Sequence, residues 1–171
     1  LIRIDPGESF GTGTHPTTRL SLGLLEEVVA RRKAPSVLDV GCGSGVLCVA
    51  ARLLGAGEIL GVEVDEASLD ECARNALINE AQFRASLVPL AEIEGAWDIV
   101  VANILPHILI ALAPALVARM APGGTLLLSG VPTRDETFPQ RFGDAAGTSL
   151  SLVGARTLDE WWAGVFTLGA P

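Results

Sequence analysis

The segment Ser36-Val-Leu-Asp-Val-Gly41-Cys-Gly43-Ser-Gly45 constrains this chain more than any other. A short apolar run reads as a buried strand, and the glycines after it let the backbone turn sharply into a helix. They also let a ligand approach the main chain within contact distance. The spacing is G-x-G-x-G, whereas a dinucleotide pyrophosphate is cradled by G-x-G-x-x-G. A tight turn passing beneath a nucleoside with an amino-acid tail fits better. Further on, Gly61-Val-Glu63-Val-Asp65 puts a carboxylate at the tip of the next strand, where it can accept from both ribose hydroxyls. Asp65 is placed to cap the helix beginning near Glu66. The glycine turn alone occurs in many α/β proteins; joined to the acidic strand end, it points to a nucleoside site.

Around this unit, strand and helix patterns alternate. Residues 1–14 read as a Gly/Thr-rich loop, with a short strand at Ile2–Ile4. A helix starts at Pro16, carries Leu20, Leu24, Leu25, Val28 and Val29 at helical spacing, and is stopped by Pro35. After the strand Ser36–Val40, residues 44–54 suit a helix ending at Gly55. Glu58–Val62, Arg84–Val88, Trp97–Ala102 and Thr125–Ser129 read as strands; Glu66–Asn79, Leu105–Met120 and Thr133–Ala146 read as helices. Pro114 is expected to kink the second of these helices, and Pro122-Gly-Gly124 to form a turn. Ser149–Arg156 and Trp161–Leu168 alternate as a closing hairpin. Such alternation implies a doubly wound α/β domain over residues 1–171, its parallel sheet covered on both faces and ending in an antiparallel edge strand.

Bulk properties narrow the partners. The 171 residues carry 12 Lys and Arg against 20 Asp and Glu, a net charge of −8. Duplex binding rests on a clustered basic footprint, so direct nucleic-acid binding is not expected, whereas a basic protein would be attracted. No apolar run reaches the roughly 18 residues of a membrane span. Cys42, Cys48 and Cys72 are an odd number without metal-ligand spacing, in apolar or Gly-rich surroundings. They are expected to be reduced thiols of a cytoplasmic protein with no metal site. The first residue is Leu1 rather than Met, so a shortened N-terminus is expected.

Two further stretches are more specific. One is Asp5-Pro-Gly-Glu-Ser-Phe-Gly-Thr-Gly-Thr-His-Pro-Thr-Thr18, and the other is Trp97-Asp-Ile-Val-Val-Ala-Asn103-Ile-Leu105. With the glycine turn between them, they resemble the ribosomal protein L-eleven methyltransferase family, whose F-G-T-G-T-H-P-T-T string is matched without interruption from Phe10 to Thr18. The resemblance implies a Rossmann-like, seven-stranded methyltransferase sheet and S-adenosylmethionine as cofactor. It implies cofactor contacts at Thr18, Gly41, Gly43, Glu63 and Asn103, with Asn103 also the catalytic residue. It implies methyl transfer to a lysine or N-terminal amine of a ribosomal protein. Glu63 stands where Asp is more usual, and Glu8-Ser9 replaces smaller apolar residues. The family's N-terminal recognition domain has no counterpart in these residues.

The residues themselves agree with that reading. A Gly/Thr-rich loop entering a helix offers N–H groups and hydroxyls to a carboxylate; capping explains Thr14, Thr17 or Thr18 individually just as well. Asn103 lies beyond the carboxyl end of a strand, where open α/β sheets bind ligands, and its side-chain oxygen can accept from an amine. The segment lacks the Pro-Pro-aromatic continuation on which a flipped base would stack, favouring an alkyl amine. His15 and His107 are read as structural. Three classes of function remain open: a protein-amine or other amine methyltransferase, a silent module of the same fold, and a nicotinamide oxidoreductase, which the glycine spacing disfavours. The sequence leaves the oligomeric state undetermined.

Overall fold

The computed structural model describes residues 1–5 and 13–168. Among the described residues seven strands form one sheet: β1 (Val37–Val40), β2 (Ile59–Val62), β3 (Arg84–Ser86), β4 (Trp97–Asn103), β5 (Met120–Pro132), β6 (Leu150–Leu158) and β7 (Trp161–Leu168). Among the described residues there are five α-helices, α1 (Pro16–Ala30) preceding the first strand and α2 (Val46–Leu53), α3 (Glu66–Ile78), α4 (Pro106–Ala118) and α5 (Phe138–Ala146) lying between strands. Strand order is β3-β2-β1-β4-β5-β7-β6. Strands β1 to β5 pair in parallel, and β7 lies antiparallel between β5 and the outermost β6.

Side-chain alternation builds two cores from one set of strands. Val37, Ile59, Ile99, Val101 and Leu127 face α1 and α2. Their neighbours Leu38, Leu60, Val100, Ala102, Leu126 and Leu128 face the layer of α4 and α5. The central strands β1 and β2 are therefore buried at every residue, which is why they read as apolar runs interrupted only by Asp39 and Gly61. Each such aliphatic side chain contributes about 1.5–3 kcal/mol.

Three sequence expectations are corrected. Ile2–Ile4 forms no strand; the segment is held by α3 while Ile2 and Ile4 pack on the first core. Pro122-Gly-Gly124 is no separate turn but lies inside β5, with a register shift between Trp97 and Ile99 on the neighbouring strand. The last helix begins at Phe138 rather than Thr133, where Phe138 and Phe142 supply its buried face. Pro114 is accommodated within α4, which runs on to Ala118. Between β3 and β4 the chain makes a single 3₁₀ turn, Leu90–Glu92.

Candidate cofactor site

The strand order reverses between β1 and β4, and a sheet of this kind opens a crevice at the carboxyl ends there. Gly41 follows β1 directly, Glu63 follows β2, and Asn103 is the last residue of β4. Because these strands are adjacent and parallel, the three residues stand in a row at one edge of the sheet.

The turn is closed by the main chain. Gly41 and Cys42 N–H both donate to the carbonyl of Val62, at 2.8 and 3.1 Å, and Gly45 N–H returns to Cys42 O at 2.8 Å. Gly41 has φ +75° and its missing Cβ would lie 2.5 Å from Ile104 Cγ2. Across the sheet Gly130 has φ +89°, and its Cβ would lie 2.3 Å from Ile104 O. Ile104, the residue after Asn103, is thus gripped by two strand ends that only glycine can supply.

Glu63 does not project freely. Its Oε2 accepts Gly43 N–H at 2.8 Å, and its Oε1 accepts Val64 N–H at 2.7 Å and, more weakly, Asp65 N–H at 3.4 Å. A carboxylate has about four acceptor directions, so three are engaged. One ribose hydroxyl can be added directly; a second must displace a main-chain donor. The extra methylene of Glu over Asp is what lets the carboxylate reach back to the turn. Asp65 caps α3 through Ser68 N at 2.9 Å, and the Ser68 hydroxyl and N–H hold its carboxyl below the usual range.

Asn103 pairs with Ser129 of β5 and is half-buried. Its Oδ1 is sealed from solvent and has no hydrogen-bond partner among the described residues. Thr18 sits in the first turn of α1, fully buried, and its Oγ1 is likewise unpartnered. The neighbouring Thr17 carbonyl accepts from Ser129 Oγ at 3.2 Å, which ties this helix start to the strand beside Asn103. His15 caps α1: its Nδ1 accepts Thr17 N–H at 3.3 Å and bonds Thr17 Oγ1 at 2.8 Å. Its ring stands edge-on to Trp161, with centroids 5.2 Å apart. Residues 6–12 of the Gly/Thr-rich stretch lie outside the described residues.

Two residues that the sequence patterns did not single out lie beneath the turn. Asp39 of β1 is buried, and that desolvation pushes its carboxyl up to about 7 despite the Cys48 thiol donating to it at 3.3 Å; the nearby Glu63 charge raises it further. Asn75 of α3 is buried and donates to the carbonyl of Ser44 at 2.9 Å. An Asp inside an apolar strand was the visible signal for the first. A polar residue on the buried face of α3 was the signal for the second. All three cysteines are free and buried, and burial raises Cys48 well above the ordinary thiol range. Among the described residues no cluster of His, Cys, Asp or Glu could hold a metal, and no helix is long and apolar enough to cross a membrane.

A family model described as "Ribosomal protein L11 methyltransferase (PrmA)" matches residues 1–166. The chain is 46% identical over 167 residues to the ribosomal protein L11 methyltransferase of Syntrophotalea carbinolica, and 42% identical over 162 residues to that of Geobacter sulfurreducens. These matches cover 94% of this chain in both cases, and 53% and 52% of the two relatives. The chain thus spans about half the length of the curated relatives it matches. A crystal structure of ribosomal protein L11 methylase from Lactobacillus delbrueckii subsp. bulgaricus superimposes with a TM-score of 0.89 at 30% identity, covering 99% of this chain and 86% of that one.

Proposed function

Since the chain belongs to the ribosomal protein L11 methyltransferase family, we propose that it carries that family's methyl-transfer domain over residues 1–171, uses S-adenosylmethionine, and methylates a lysine or N-terminal amine of that ribosomal protein. The observation that carries the reading is the row of Glu63, Gly41 and Asn103 at the switch point, with the Asn103 Oδ1 buried and unpartnered. A buried acceptor left open costs about 1–3 kcal/mol, which a ligand donor would recover. The residues present suit a sulfonium nucleoside. Glu63 would accept from its ribose, the Gly41–Gly43 turn would pass beneath it, and the Thr18 hydroxyl would meet its amino-acid end.

When bound, S-adenosylmethionine supplies a methyl group on a sulfur that departs as a neutral thioether, so no acid is needed at the leaving group. The chain's own task is alignment, which in favourable systems contributes roughly 7–11 kcal/mol. Asn103 Oδ1 accepts an N–H of the acceptor amine and so directs the nitrogen lone pair into the crevice. A lysine amine in water loses its proton only near pH ~10.4; enclosure at this edge disfavours its charged form and promotes that loss. Bulk solvent takes the proton, and the Asn103 carbonyl can accept an N–H of the amine without removing it. The net charge of −8 supports encounter with a basic protein rather than with nucleic acid, and the free buried thiols support a cytoplasmic setting.

The test is transfer of radiolabelled methyl groups to purified ribosomal protein L11, with calorimetry of S-adenosylhomocysteine and of NAD alongside. Label on lysine or the N-terminal amine is expected. Binding without transfer to any amine would indicate a silent module; NAD binding alone would indicate an oxidoreductase.

A further inference from the structure

The buried residues of α3 are Glu71, Cys72 and Asn75, of which Cys72 and Asn75 are fully enclosed. A buried amide is tolerated when its donor and acceptor are both engaged. Asn75 Nδ2 donates to Ser44 O of the glycine turn at 2.9 Å, and Asn75 Oδ1 accepts Asp5 N–H at 2.8 Å. One helical turn later, Asn79 Oδ1 accepts Arg3 N–H at 2.8 Å while its Nδ2 donates to Arg3 O at 2.6 Å and to Asn75 O at 2.8 Å. Two residues of extended chain span about 6.6 Å and four helical residues about 6.0 Å, so both clasps close together. Ile2 and Ile4 meanwhile pack on the first core, which fixes which edge of the segment meets α3. The two asparagines act as a short artificial strand edge for residues 3 and 5.

We propose that Asn75 is a positioning residue for the cofactor site. One amide holds the Ser44 carbonyl and the Asp5 N–H at a fixed separation, so the glycine turn and the N-terminal strap move as one body. Order imposed on the turn by a nucleoside ligand then passes to residues 3–5. Asn75 touches neither the strand-tip carboxylate of Glu63 nor Asn103 by any hydrogen bond among the described residues, so its effect is on binding rather than on the methyl-transfer step. The ligand half of this inference rests on the cofactor reading above; the mechanical half does not.

Hydrogen exchange of the full chain, with and without S-adenosylhomocysteine, tests both halves. In the wild type the ligand is expected to slow exchange at residues 41–45 and at Arg3 and Asp5. In Asn75→Ala the turn should still be protected, the strap should not, and the dissociation constant should rise at least tenfold. Asn79→Ala should release Arg3 and leave Asp5 coupled to the ligand. Thermal melts run alongside: an Asn75→Ala chain that melts earlier yet binds as before, or still protects the strap, overturns the proposal. If Asn75→Ala does not fold, Asn75→Leu, which keeps the volume and offers neither donor nor acceptor, should show the same uncoupling. Absence of any protection in the wild type would count against the cofactor reading alone. The coupling is then read in the ligand-free chain, where Asn75→Ala must speed exchange at Asp5 and Gly45 together; acceleration at one without the other refutes it.

Discussion

The amide of Gly43 and the carboxylate of Glu63 are joined at 2.8 Å, linking the middle of the glycine turn to the tip of the next strand. The same oxygen pair also takes the N–H groups of Val64 and Asp65, so the acidic residue organises the turn before any ligand arrives. Replacing Glu63 with Ala should raise the dissociation constant of S-adenosylhomocysteine at least tenfold, measured by calorimetry. The melting temperature should move little, because the three freed N–H groups lie in partly exposed main chain that water can reach. A large stability loss with unchanged affinity would make the carboxylate a purely structural clamp.

Substitution of the two glycines that hold Ile104 should be unequal. Gly130→Ala drives a Cβ against the Ile104 carbonyl, which is backbone, whereas Gly41→Ala meets a side-chain methyl that can rotate. Both also force a side chain to positive φ, at about 1–3 kcal/mol each. Urea unfolding should therefore find Gly130→Ala the less stable variant. Both should lower turnover, since they move the residue next to Asn103.

Asn103→Ala is expected to bind S-adenosylhomocysteine within a few-fold of wild type and to lose at least about hundredfold in methyl transfer, the scale of a misplaced reacting group. Single-turnover assays separate the two effects. Equal losses in binding and turnover would assign Asn103 to the cofactor rather than to the amine.

The buried Asp39 predicts a pH effect with a definite sign. Its carboxyl is raised to about 7, mainly by burial, so the folded chain holds a proton that the unfolded chain has lost above about 4. Stability should therefore fall as pH rises from about 4 through about 7, by a total on the order of 4 kcal/mol. Asp39→Asn, which keeps an acceptor for Cys48, should flatten that dependence in denaturant titrations across pH.

All three thiols should resist alkylation by iodoacetamide at pH 8 until denaturant is added. Burial keeps Cys48 protonated, and it likewise pushes Cys42 upward, with its hydrogen bond to Cys72 as the larger cause. Rapid labelling of the native chain, followed by mass spectrometry, would show that the turn opens readily.

Much of this architecture was legible because period and punctuation agree. The strands under the glycine turn are buried at every residue and apolar but for Asp39, and Asp65 announces the start of α3 by its own chemistry. Other features depend on partners distant in sequence. Ile2 and Ile4 alternate like a strand, yet their neighbours bond to two side-chain amides some seventy residues away, and no local pattern records that. Thr133 looked like a helix start, but the buried phenylalanines of α5 set where a helix gains packing. At the site, Glu63 was found from its place after a strand. That it would fold back onto Gly43 depends on side-chain length and turn geometry together, which only the assembled structure contains.

One strand of the sheet runs against the others, and this alters what its ends can reach. Trp161 opens β7 opposite Pro132, so the short Asp159-Glu160 link to β6 lies on the same side of the molecule as Asn103. A hairpin loop is therefore available at the mouth of the crevice without any change to the glycine turn. Lengthening or recharging that loop would reshape the mouth of the crevice while the glycine turn stays as it is.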